Sequence, residues 1–93
     1  MTAEIKTTPL GHGRFLVEVF EGRSSTIHEV GVAREVIESL GWQGTPEELI
    51  RGSFRFLLAR EPKESILHAF DIEAISDYFP EWESEARGGF AGA

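Results

Sequence analysis

The chain has 93 residues, 41% of them apolar and 27% charged, enough for one hydrophobic core and too few for two. It contains no cysteine, which excludes disulfide staples, thiolate metal sites and cysteine nucleophiles. Its formal charge of −7 is uneven: residues 1–60 carry eight acids and seven bases, residues 61–85 carry eight acids and Lys63 alone, and Arg87 completes the count.

The first residues lack the basic start and apolar run of a secretory signal. No apolar stretch approaches the roughly 18–20 residues that span a bilayer, so a cytoplasmic location is expected. With Pro9, Gly11 and Gly13, residues 1–13 read as a flexible arm, with a short strand near Ile5 as the one element it has room for. From Arg14 the pattern changes. Phe15, Val17 and Val19 alternate with Arg14, Leu16, Glu18 and Phe20, which is the period of a strand. Gly22 opens a polar turn through Arg23, Ser24 and Ser25, and a second alternating run follows from Thr26 to Val32. The pair predicts an antiparallel hairpin, which is marginal in water unless something covers one face.

Helices are the expected cover. Ala33, Val36, Ile37 and Leu40 form a one-faced stripe, and Gly41 stands where a left-handed C-cap belongs. Thr45-Pro46-Glu47-Glu48 supplies a capping hydroxyl, a proline at the first helical position and a glutamate three residues after the cap. The helix it opens carries Leu49, Ile50, Phe54, Leu57 and Leu58 on one side and should reach about Arg60. Pro62 reads as the start of a short helix with Ile66, Leu67 and Phe70 facing inward. Asp71 reads as the cap of a last helix carrying Ile72, Ile75 and Phe79, which Pro80 ends. Residues 83–93, with Gly88, Gly89 and Gly92, read as a frayed tail. The expectation is therefore one α+β domain over residues 14–82: an N-terminal antiparallel hairpin, or three strands if Ile5 lies in one, packed against three to four helices.

No chemical constellation stands out. His12, His28 and His68 lie on three different segments without the spacing of a metal site. His28 alternates with Thr26 and Val30, so a half-buried, hydrogen-bonded ring is its expected state. A small-ligand or catalytic domain built on His28 or His68 is the weaker alternative. No serine sits in a Gly-x-Ser-x-Gly elbow, and Gly11-His12-Gly13 precedes a strand where a phosphate cradle needs a helix. The expectation is a non-enzyme with no cofactor and no metal.

A helix-turn-helix reading would send the helix from Ile72 to Phe79 into a DNA groove. That helix presents Asp71, Glu73 and Asp77 with no cation, whereas phosphate neutralisation supplies much of the affinity for DNA. Arg51, Arg55 and Arg60 form the only basic row. The acidic, aromatic segment around Tyr78-Phe79-Pro80-Glu81-Trp82-Glu83 remains. Tyr78 and Trp82 are the expected aromatic anchors for a protein partner, and Glu73, Asp77, Glu81 and Glu83 form an acidic rim suited to a basic surface.

The stretch Phe54-Arg55-Phe56-Leu57-Leu58-Ala59-Arg60-Glu61-Pro62-Lys63-Glu64-Ser65-Ile66-Leu67, with Phe70-Asp71, Ile75, Tyr78-Phe79-Pro80-Glu81 and the Thr26–Val30 strand, resembles a group of short bacterial proteins without an assigned activity. The likeness spans roughly residues 14–83 and implies a bacterial source. It brings no catalytic residue. The sequence therefore points to a small acidic interaction or regulatory module that binds another protein, with self-association as a further expectation. An antitoxin- or immunity-like acidic inhibitor is the sharper version of the same reading.

Overall fold

In the computed structural model, which describes residues 3–91, residues 4–31 build three consecutive antiparallel strands. β1 (Glu4–Gly11) pairs with β2 (Arg14–Glu21), and β2 pairs with β3 (Ser24–Gly31). The expected arm is thus an edge strand, and its turn explains why it was hidden. His12 and Gly13 both have positive φ, 54° and 72°, the pattern of a two-residue type I′ hairpin turn. Histidine in place of the usual asparagine or aspartate masked that signal. The second turn is as short: Gly22 has φ 61°, Arg23 does not, and Ser24 and Ser25 already belong to β3.

α1 (Arg34–Leu40) ends on Gly41 in the left-handed conformation, and α2 (Pro46–Leu58) opens on a complete capping box. Thr45 Oγ1 accepts the Glu48 N–H at 3.1 Å, and Glu48 accepts the Thr45 N–H at 2.7 Å. The segment after Pro62 departs from expectation. In place of a helix it forms one 3-10 turn over Lys63–Ser65 and then β4 (Ala69–Asp71), which pairs parallel to β3. The sheet order is β1-β2-β3-β4. A three-residue strand leaves too short an alternation to register against the helix-like spacing of Ile66, Leu67 and Phe70.

Asp71 does precede the next helical segment in extended conformation, but its side chain caps nothing and instead reaches Arg14 at 3.4 Å. The expected last helix is a 3-10 turn over Ile72–Ala74 followed by the single turn of α3 (Ile75–Tyr78). Beyond Pro80 the chain winds again into α4 (Glu81–Arg87), with Trp82 and Ala86 buried, so the expected tail is structured through residue 87.

The helices cover one face of the sheet. Ile5, Phe15, Val17, Val19, His28 and Val30 point into the core, where they meet Leu49, Ile50, Phe54 and Trp82. The opposite face stays open and carries Lys6, Glu18, Arg14 and Glu29 among Leu16, Phe20 and Ile27, with Phe20 and Ile27 exposed. Late in the chain, Phe90 lies against α2 at Gly52, where an added Cβ would meet its ring at 2.3 Å. Among the described residues, no helix is long and apolar enough to cross a membrane.

Candidate functional site

The four strands and α2 bring the chain from residue 57 to residue 79 around an apolar groove of about 130 Å³. Leu57 enters from the C-terminal turn of α2, Ile66 and Leu67 from the segment before β4, Phe70 from β4, and Ile75 and Tyr78 from α3. Leu67 and Tyr78 stand on its lip, 48% and 67% exposed. Leu10, Phe20 and Ile27 are exposed as well, so what sets Leu67 and Tyr78 apart is that both border an apolar groove. Glu61 is the charged residue lining the groove.

Leu67 is held in place from behind. His28 is fully buried, and both ring nitrogens are engaged: Nδ1–H donates to the Leu67 carbonyl at 2.7 Å, and Nε2 accepts from the Thr26 hydroxyl at 2.8 Å. This assignment follows from the carbonyl, which can only accept. The exposed His68 ring stacks on His28 at 6.0 Å, and Phe54 lies 5.4 Å away on the other side. Burial pushes the His28 pKa down, and the neighbouring His68 adds to the depression, against the opposing Leu67 hydrogen bond. His28 is therefore a neutral fastener between β3 and the groove wall. Among the described residues no carboxylate hydrogen-bonds to it, and both of its ring nitrogens are already engaged.

The six residues expected to form one partner face are divided. Tyr78 lines the groove. Trp82 is 2% exposed, and its indole N–H donates to Ser53 Oγ at 2.9 Å inside the core, so it is no surface anchor. The small Ser53 provides that partner on α2, which is the reason a hydroxyl stands on the apolar side. Glu73 and Glu83 border a separate hollow of about 180 Å³ that Glu35 also lines and that has Trp82 among its lining residues. Glu81 turns back to Arg60 at 3.2 Å, and Asp77 is exposed.

The charge layout is correspondingly reduced. Of the eight carboxylates from Glu61 to Glu85, four have cationic partners: Glu64 with Lys63 at 2.8 Å, Asp71 with Arg14, Glu81 with Arg60, and Glu83 with Arg87 at 2.8 Å. Lys63 holds the Glu64 carboxyl below its ordinary range, and for Glu81 its own backbone N–H does so first and Arg60 second. Arg60 also lies 3.6 Å over the Phe56 ring, while Arg55 donates to the Ala3 carbonyl. Glu61, Glu73, Asp77 and Glu85 have no ion-pair partner among the described residues; Glu61 lines the groove, Glu73 lines the separate hollow, and Asp77 is exposed. The carboxylates without ion pairs are thus spread between the groove and the hollow. Among the described residues, no three His, Asp or Glu side chains are placed to hold a metal ion.

Sequence reasoning missed Leu67 and the groove, because both depend on β4 replacing a helix. The available signal was His68-Ala69-Phe70-Asp71, a short alternation beside a buried β3. No family model, no curated protein and no solved structure matches the chain.

Proposed function

We propose that the chain is a small, non-enzymatic interaction module whose groove receives one large apolar side chain of a protein partner, flanked by basic residues. The observation that carries this reading is the coincidence of the exposed Tyr78 and Leu67 on the groove lip with Glu61 in its lining, a carboxylate with no ion-pair partner among the described residues. A volume of about 130 Å³ accommodates a single side chain of leucine or tryptophan class. An aromatic anchor in a desolvated pocket supplies affinity, and the charged rim supplies orientation and encounter rate. A nucleic acid is a poor occupant, because the helical segment nearest the groove is one α turn that exposes Asp77. A cytoplasmic setting suits a chain without cysteine.

A short amidated peptide with a central tryptophan between two lysines on each side is a direct probe. In an NMR titration it should shift the amide resonances of Leu67, Phe70 and Tyr78, and added salt should weaken it. Glutamates in place of the lysines should abolish the shifts, as should Tyr78→Arg in the protein. Shifts absent from these three residues, or equal for both peptides, would reject the groove as the docking site.

A further inference from the structure

The sheet ends at β1, and among the described residues no strand pairs with its outer edge. The backbone groups that edge offers follow from the turns. A two-residue hairpin turn is closed by a hydrogen-bonded pair, here Glu21 with Ser24, and such pairs alternate along an antiparallel ladder. β2 therefore bonds β3 through Val19, Val17 and Phe15, and bonds β1 through Phe20, Glu18 and Leu16. Opposite those three stand Glu4, Lys6 and Thr8, whose peptide groups are used inside the sheet. Ile5 and Thr7 turn theirs outward. Pro9 has no N–H and stops any pairing beyond them.

We propose that this edge pairs antiparallel with β1 of a second copy of the chain, about a two-fold axis beside Ile5. Three two-fold registers bring the outward peptide groups of Ile5 and Thr7 opposite one another. Pairing Ile5 with Thr7 sets Lys6 against Lys6 at the close, non-hydrogen-bonded spacing, where like charges repel. Pairing Thr7 with itself faces Ile5 with Pro9, which cannot donate. Pairing Ile5 with itself sets Glu4 of each copy against Lys6 of the other, two opposite-charge pairs on the open face. It also lets Ala3 and Thr7 exchange hydrogen bonds across the axis. The Ala3 carbonyl, which accepts Arg55 Nη1 at 3.3 Å, keeps a second lone pair for the Thr7 N–H. Within each copy Lys6 already faces Glu18, so charges alternate in the row Glu18, Lys6, Glu4 across the interface.

Pro9 and Lys6 are devices that blunt an edge strand against indiscriminate pairing. Here they also select one register and limit it to five residues per copy. An interface of that extent lies at the small end of specific contacts, so the dimer is reversible. It joins the two sheets at the edge opposite β4 and leaves the groove free.

Sedimentation equilibrium of the full chain tests the proposal. The unsubstituted protein should show a dimer fraction that rises with concentration. Glu4→Lys and Lys6→Glu each place like charges across the axis, so each alone should sediment at monomer mass. An equimolar mixture of the two variants should return dimer, because each then presents the charges the other needs. Thr7→Pro removes an outward N–H and should also give monomer, with the circular dichroism of the folded chain retained. Monomer mass for the unsubstituted protein at millimolar concentration, a dimer that Glu4→Lys leaves intact, or a mixture that stays monomeric overturns the proposal.

Discussion

At the scale of single residues, His28 shows how little side-chain type alone decides. An imidazole on a strand can be a ligand, a base or a fastener, and here two hydrogen bonds and complete burial make it a fastener. Its folded-state pKa lies below the ordinary value of about 6.5 that the unfolded chain shows. The unfolded chain therefore takes up a proton first as pH falls. The stability associated with His28 is complete above about 6.5 and is lost as pH drops through that value toward the depressed folded one. Thermal melts between about pH 7.5 and 5, which brackets the ordinary titration of histidine and lies above that of carboxylates, should show Tm falling with pH. His28→Gln should lower Tm at pH 7.5 and flatten the slope. An unchanged slope in that variant would assign the pH dependence elsewhere. The alternation of Thr26, His28 and Val30 made the burial of this ring legible in the sequence. Its partner, the Leu67 carbonyl, was not legible, because it lies 39 residues away on a segment that reads as helix.

Among the elements, legibility followed the locality of the signal. The end of α1 at Gly41 and the start of α2 at Thr45 are written within a few residues of each other, and both appear where the sequence places them. Thr45→Ala leaves the Glu48 N–H without its partner and should cost about 1 kcal/mol, measured by denaturant unfolding. A loss far below that would mean water or Glu47 replaces the cap. Among the strands, β1 was read only in part, as a short strand near Ile5 in an arm, and β4 was missed, for opposite reasons. β1 has glycines and a proline at one end that resemble a loose arm, yet its pairing with β2 overrides their weak local preference. β4 exists only because β3 offers it a parallel partner, and no local pattern encodes a non-local pairing. The groove lies between β4 and α3, so it was hidden along with them.

For the whole molecule, the instructive residue is Trp82. The sequence sets it among glutamates near a glycine-rich end, a setting that suits an exposed anchor. The fold places it in the core, with its indole N–H bonded to Ser53 of α2. Trp82→Ala should therefore cost about 3–5 kcal/mol, while Tyr78→Ala, at a position 67% exposed, should stay within about 0.5 kcal/mol. Chemical denaturation of the two variants separates them, and equal costs would contradict the assignment of core and surface. The acidic distal third, read from sequence as one negative face, is divided by Arg14, Arg60, Lys63 and Arg87 into four paired carboxylates and four unpaired ones, of which Glu61 lines the groove and Glu73 the separate hollow.

The contact of Phe90 with Gly52 carries this interdependence to the far end of the described chain. A glycine inside a helix lowers helix stability by about 1 kcal/mol relative to alanine, and this one makes room for a ring that arrives 38 residues later. During synthesis β1, β2 and β3 emerge before α2, and the side of α2 that carries Gly52 and Ser53 lacks its covering until Trp82 and Phe90 have followed. A chain cut short before Trp82 would leave Ser53 and the neighbouring side of α2 uncovered, a substrate for chaperones and proteases.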